Sequence, residues 1–208
     1  MKKIASVLVM LISIGVSYSQ ISVGGQFSYL NAFGFGGGPG FGAKIDYANS
    51  DKLVYTGGVN YYLPITLEES TYANAFSSAT NPGSISVNSE EKATFIQFHA
   101  GVKYYFSGDY ESDFGFYCFA GAGVWLIPWT STVTEEYNQL LYYGPEDRAE
   151  TLTGLTIDFG LGIEKGFDFG YLFAEGGLNL KAKSVNGSTI DQPIPNFAAL
   201  NLGFRYPF

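Results

Sequence analysis

His99 is the only histidine in a chain of 208 residues. It is the side chain best suited to moving a proton near neutral pH. A lipase, deacylase or acyltransferase would set such a base beside a nucleophile. The residues two places either side of it are Gln97 and Gly101, and no serine stands at a serviceable spacing. His99 therefore reads as a hydrogen-bonding group rather than a catalytic base. Cys118 is the single cysteine, so no internal disulfide can form, and no basic residue beside it activates the thiol. The run GFGGGPGFG, Gly34 to Gly42, lacks the Lys-Ser/Thr that completes a phosphate cradle. It reads as a flexible loop entering a strand. Paired acids occur at Glu68-Glu69, Glu90-Glu91, Glu135-Glu136 and Glu146-Asp147. Carboxylates of this kind bind Ca²⁺ or Mg²⁺, but no spacing here matches a Ca²⁺ loop, and they read as solvated charge. The sequence calls for no cofactor and no catalytic residue.

The elements that carry these residues show period-two alternation. In Thr153–Glu164 one parity holds Thr153, Leu155, Ile157, Phe159, Leu161 and Ile163, and the other Gly154, Thr156, Asp158, Gly160, Gly162 and Glu164. Successive strand residues point to opposite faces, so this is a strand with one greasy and one polar face. Eight such segments are expected: Ile21–Asn31, Phe41–Ala48, Leu53–Leu63, Thr94–Phe106, Phe114–Ile127, Thr151–Glu164, Gly170–Ala182 and Asn196–Phe208. Most reach the roughly 9–11 residues of a tilted membrane strand, where soluble strands average about 5–6. Connections after the second, fourth and sixth segments are short (NSDK, SGDYESD, KGFDF). Those after the third and fifth, Pro64–Ala93 and Pro128–Glu150, are long. Gly is frequent (27), as are Phe (18) and Tyr (16), and charged residues make up only 14%. Beyond the N-terminal segment no run of 18 apolar residues occurs, so membrane helices are not expected.

Applied to every segment, the polar parity gathers Gln26, Lys44, Asp46, Asn60, Gln97, His99, Lys103, Asp158, Glu164, Glu175, Asn179, Lys181, Asn201 and Arg205 on one face. Four are basic (Lys44, Lys103, Lys181, Arg205) and four acidic (Asp46, Asp158, Glu164, Glu175). Buried charges must be paired or they cost several kcal/mol each. This set is expected to be a paired network, with His99 among it, filling the inside of a closed sheet. The other 15 of the 19 acids fall in connections. Tyr104, Tyr105, Phe106, Tyr47, Tyr171 and Tyr206 are expected to ring one end of the sheet. Trp125, Trp129, Tyr61 and Tyr62 are expected to ring the other.

The ends of the chain complete the pattern. Lys2 and Lys3, the apolar run Ile4–Val16 and the small residues Ser17 and Ser19 form a secretory signal cut before Gln20. The mature chain is then 189 residues in one domain, with 9 basic and 19 acidic residues. A net charge of −10 opposes nucleic-acid binding. The last residues, AALNLGFRYPF, set Leu200, Leu202, Phe204, Tyr206 and Phe208 on one face. Here the chain resembles the small outer-membrane β-barrel proteins of diderm bacteria, and in its Gly/Tyr/Phe-rich strands those of the Bacteroidota. The resemblance implies an all-β, eight-stranded antiparallel up-and-down transmembrane barrel with short periplasmic turns and longer external loops. It also implies residence in the bacterial outer membrane and contact with membrane lipid and lipopolysaccharide. Phe204, Tyr206 and Phe208 would be the signal read by the barrel-assembly machinery.

Function is left between alternatives. One is a structural or surface-interaction barrel with a filled, charge-paired lumen and an unnamed surface ligand. Another is a narrow porin or carrier of small molecules, for which inward Gly115, Gly121, Gly123, Gly154, Gly160 and Gly162 leave room. A lipid-modifying enzyme is disfavoured by the setting of His99. A soluble periplasmic barrel is opposed by the strand lengths and Phe208.

Overall fold

The computed structural model describes residues 21–77, 79, 82–184 and 195–208. The expected signal segment, residues 1–19, lies outside the described residues. Nine strands occur among them: β1 (Ile21–Ala32), β2 (Gly36–Ala48), β3 (Leu53–Ala75), β4 (Ser84–Ser107), β5 (Phe114–Val133), β6 (Tyr142–Tyr143), β7 (Arg148–Phe167), β8 (Gly170–Ser184) and β9 (Phe197–Pro207). Eight of them close a ring in which each pairs antiparallel with its chain neighbours, β5 pairing β7. The two-residue β6 hangs on the far end of β3, opposite Asn74 and Ala75. Closure comes from β1 against β9, in register from Ser22↔Pro207 to Ala32↔Phe197. The chain forms an eight-stranded antiparallel up-and-down β-barrel.

The alternation read from sequence is what shapes the wall. From Ser22 to Ala32, β1 alternates buried and exposed at every residue. Along β7 the outward Leu155, Ile157, Phe159, Leu161 and Ile163 are 39–63% exposed, while Thr156, Asp158 and Glu164 on the other parity are buried. Phe27, Phe41, Phe98, Leu172 and Leu202 continue the apolar exterior on other strands. A continuous apolar surface of this kind is a liability in water and the natural exterior of a sheet set in hydrocarbon. Connections at 49–52, 108–113 and 168–169 mark the short-turn end. The opposite, long-loop end carries Glu68, Glu69, Glu90, Glu91, Glu135, Glu136, Glu146, Asp147 and Glu150.

Two expectations are corrected at that end. Pro64–Ala93 is not chiefly loop: β3 runs on to Ala75 and β4 starts at Ser84, paired as far as Asn74↔Ser84. β5 and β7 likewise extend to Ser131↔Arg148. The Ser/Thr/Glu-rich composition resembles a loop, yet Ile85, Val87, Ser89, Glu91 and Ala93 keep one parity. A β-bulge absorbs the change of level: Tyr62 pairs with Phe95 and Ile65 with Ala93, so Leu63 and Pro64 oppose Thr94 alone. Proline, with no N–H to give, fits such a break. The 24 residues of β4 span about 80 Å, more than twice the roughly 30 Å of hydrocarbon. The upper strands therefore stand clear as arms.

The second correction concerns the Gly34–Gly42 run. Gly34 and Gly36, with φ of 93° and 88°, make the turn, and β2 begins at once. Within the strand a Cβ on Gly40 would lie 2.6 Å from the Tyr62 ring, and one on Gly42 would lie 2.0 Å from Asn60 Oδ1. These glycines make room for inward side chains on β3. Other inward glycines do the same. Tyr117 lies over Gly162, Phe173 over Gly203, and Phe119 over Gly160 and Gly177.

Gly162→Val is accordingly expected to destabilise the barrel by about 1–3 kcal/mol through overpacking. The check is the urea midpoint of protein refolded in lipid vesicles. Made in a Tyr117→Ala background, the Gly162→Val change should cost less than it does in the wild type, and an equal cost in the two backgrounds would remove Tyr117 as the cause.

Candidate functional site

The lumen is stacked in layers. At the short-turn end Arg205 on β9 is fully buried. Its Nε and Nη2 donate to Glu164 Oε2 and Oε1 at 2.7 and 2.6 Å, a bidentate pair of the strong kind. Nη2 also donates to the Tyr110 carbonyl. The guanidinium is sandwiched between the rings of Tyr110 and Tyr171, at 3.8 and 3.9 Å. Tyr110 belongs to the 108–113 turn, which folds in beneath the barrel, and its hydroxyl meets Ser22 Oγ at 2.5 Å. Tyr105 packs against Tyr110 and Tyr117 and donates to Glu164 Oε1.

Above this lies the main charge cluster. Lys44 Nζ donates to Glu175 Oε1 at 2.6 Å and sits 3.4 Å from the Phe173 ring centroid. Lys103 Nζ pairs with Asp46 at 2.8 Å and with Glu175 at 3.4 Å. Tyr117 donates its hydroxyl to Glu175 as well. Next comes a belt of amides: Gln26 donates to Asn60, Asn60 to Gln97, and Gln97 to Asp158. Thr156 donates to Asp158 and accepts the Trp125 indole N–H.

Among the residues expected to share charge, Lys44, Asp46, Lys103, Glu164, Glu175 and Arg205 meet in ion pairs. Asp158 is held by neutral donors instead. Lys181 lies half-buried toward the long-loop end, and no ion pair of its side chain falls among the described residues. His99 is half-buried, stands against Gly58, and its Nδ1 has no partner among the described residues. A cavity of about 60 Å³ lies between the amide belt and the charge cluster. Gln26 Oε1, Asn179 Oδ1, Asn201 Oδ1 and His99 Nδ1, all without a hydrogen-bond partner among the described residues, line it. That is space for a few water molecules. Among the described residues no three of His, Cys, Asp and Glu converge on a metal site.

The top layer was missed by the sequence reading. Tyr62, Trp125 and Trp129 face inward rather than ringing the exterior. With Phe95, Phe197, Leu30, Ile127 and Leu152 they form an apolar plug at the long-loop end. Trp125 stacks on Phe197 with centroids 4.3 Å apart and on Tyr62 at 5.9 Å, and Phe95 meets it edge-on. At the other end Tyr105 is inward too, fully buried. The reason is the pleat: Tyr61 and Tyr62, like Tyr104 and Tyr105, are adjacent, so only one of each can face outward.

Solved structures share this architecture. A major outer membrane protein from Thermus thermophilus superposes with a TM-score of 0.60 at 14% identity, over 92% of this chain and 100% of that one. The likeness is one of fold. Looser matches are Ail, the attachment invasion locus protein of Yersinia pestis (TM-score 0.48, 16% identity, 91% and 97% covered), and Neisserial surface protein A (0.45, 14%, 91% and 97%). No family model matches the sequence, and no curated protein matches it.

The Arg205–Glu164 pair sets a stability test. Glu164→Gln leaves a buried guanidinium half-compensated and is expected to cost about 3–5 kcal/mol. The double change Glu164→Leu, Arg205→Met should cost much less. Urea titrations of vesicle-refolded protein decide it, and equal losses in the two variants would count against the pair as the linchpin of this layer.

Proposed function

We propose that the chain is an integral outer-membrane barrel whose lumen is closed and whose working surface is the long-loop end. The observation that carries this reading is the continuous filling of the lumen. Arg205, Glu164 and three tyrosines block one end, paired charges and amides fill the middle, and an aromatic plug blocks the other. An eight-stranded barrel is only wide enough for side chains to fill it. The apolar exterior supports insertion in a bilayer. A barrel of this kind with short turns at one end supports the outer membrane as its place, with lipid and lipopolysaccharide around the wall. Tyr206 and Phe208, 51% and 80% exposed at the end of β9, are available there with Phe204 for recognition by the assembly machinery.

The narrow-porin reading has one observation in its favour, the small polar cavity at mid-lumen. Passage through it requires both the Arg205 layer and the aromatic plug to move. The enzyme reading gains nothing from His99, which stands inside the barrel, away from lipid, with no hydroxyl or thiol hydrogen-bonded to its Nδ1 among the described residues.

Protein taken from outer-membrane fractions is expected to run as a heat-modifiable band and to give no conductance in planar bilayers. Discrete single-channel steps from the same folded sample would overturn the closed-lumen reading and favour the porin.

A further inference from the structure

The mid-lumen cavity of about 60 Å³ collects oxygen atoms without partners among the described residues: Gln26 Oε1, Asn179 Oδ1 and Asn201 Oδ1. Gln26 and Asn179 are only 5% and 7% exposed, and Asn201 is half-buried. Strand register brings them together. Gln26 pairs with Gly203 and Ser28 with Asn201, so Gln26 and Asn201 are diagonal neighbours across β1 and β9. Asn201 pairs with Glu175 on β8, and Asn179, further along β8, pairs with Asp158 on β7.

The direction of the amide belt is set by its last member. A carboxylate only accepts hydrogen bonds, so Gln97 turns its Nε2 toward Asp158. Gln97 Oε1 then accepts from Asn60 Nδ2, and Asn60 Oδ1 accepts from Gln26 Nε2. Gln26 is left presenting an oxygen, not an N–H, to the cavity.

The lumen is also one positive charge short. Lys44 and Lys103 pair with Asp46 and Glu175, and Arg205 pairs with Glu164. Asp158 is left with the neutral donors Gln97 and Thr156, one to each oxygen. Three bases against four carboxylates leave these layers a formal charge of −1. Water in the cavity satisfies the amide oxygens but brings no charge, where a buried charge needs a partner.

We propose that the cavity holds one alkali-metal cation, sodium or potassium, on Gln26 Oε1, Asn179 Oδ1 and Asn201 Oδ1 beside Asp158, with water completing its shell. The donors are hard oxygens carrying a single charge between them. Divalent ions gather several carboxylates and would leave the lumen positive. Softer metals take His and Cys. The proposal rests on the closed lumen and adds an occupant to it.

The test is urea unfolding of the barrel refolded in phosphatidylcholine vesicles, at about pH 8, where an ordinary imidazole is neutral. Choline chloride is replaced stepwise by sodium or potassium chloride at constant ionic strength, and tryptophan fluorescence reads the midpoint. The midpoint is expected to rise by about 0.5 M urea or more for each tenfold increase of the alkali ion above half-saturation. Asp158→Asn and Asn201→Leu should each remove most of that rise, and E135Q/E136Q, which thins the charge of the arms, should keep it. Asn201→Leu decides the matter if Asp158→Asn does not fold. Equal midpoints in choline and in both alkali salts, in a folded wild type that does not conduct, would overturn the proposal. So would a full rise in the folded Asp158→Asn or Asn201→Leu protein. Single-channel steps from the wild-type sample would instead fault the closed lumen beneath it.

Discussion

The whole structure depends on the need to pair every backbone N–H and C=O where water is absent. A sheet meets that need in hydrocarbon only by closing on itself, and here β1 closes against β9 along almost their full lengths. Everything inside follows from the size of the ring so formed. Eight strands leave an interior on the scale of a few side chains. Charges placed there have little water to share and must find one another, as Arg205 finds Glu164, and Lys44 and Lys103 find Glu175 and Asp46. Large rings fit only where the facing strand gives up its side chain, which is why Tyr117, Phe119 and Phe173 each lie over glycine.

The same constraint separates the two halves of the molecule. Within the bilayer the sheet is a closed tube with no edge. Above it the strands continue but the ring does not: β2 starts at Gly36 and pairs β3 only as far as Tyr62. The arms are therefore an open sheet, free to use polar residues on both faces and to gather carboxylates that the tube could not hold unpaired.

Much of this was legible in the sequence. The strict alternation of segments such as Thr153–Glu164 placed the eight strands, their direction and the inward polar set, because the pleat leaves a side chain no other face. What escaped was the part where composition and parity disagree. Tyr62, Trp125 and Trp129 are aromatic, and aromatic residues near strand ends suggest an outer girdle, but their parity is inward. Counted with Phe95 and Phe197, which share that parity, they spell the plug. The arms escaped for the converse reason. SISVNSEEKATF looks like loop by composition and strand by alternation, and alternation prevails because pairing with β3 continues. That Glu69 and Glu91 share the inward face could not be read without the bulge at Leu63–Pro64, which shifts the parity of β3 by one residue.

The stacked pair of Trp125 and Phe197 joins the fifth strand to the last. Chain order gives that contact a meaning in time. Phe197 sits at the start of β9, between Asn179 of β8 and Ala32 of β1, so its ring reaches Trp125 only once the final strand has taken its place in the sheet. Until then the indole faces an unfinished trough. One of the molecule's two tryptophans is thus a clock for the moment of closure.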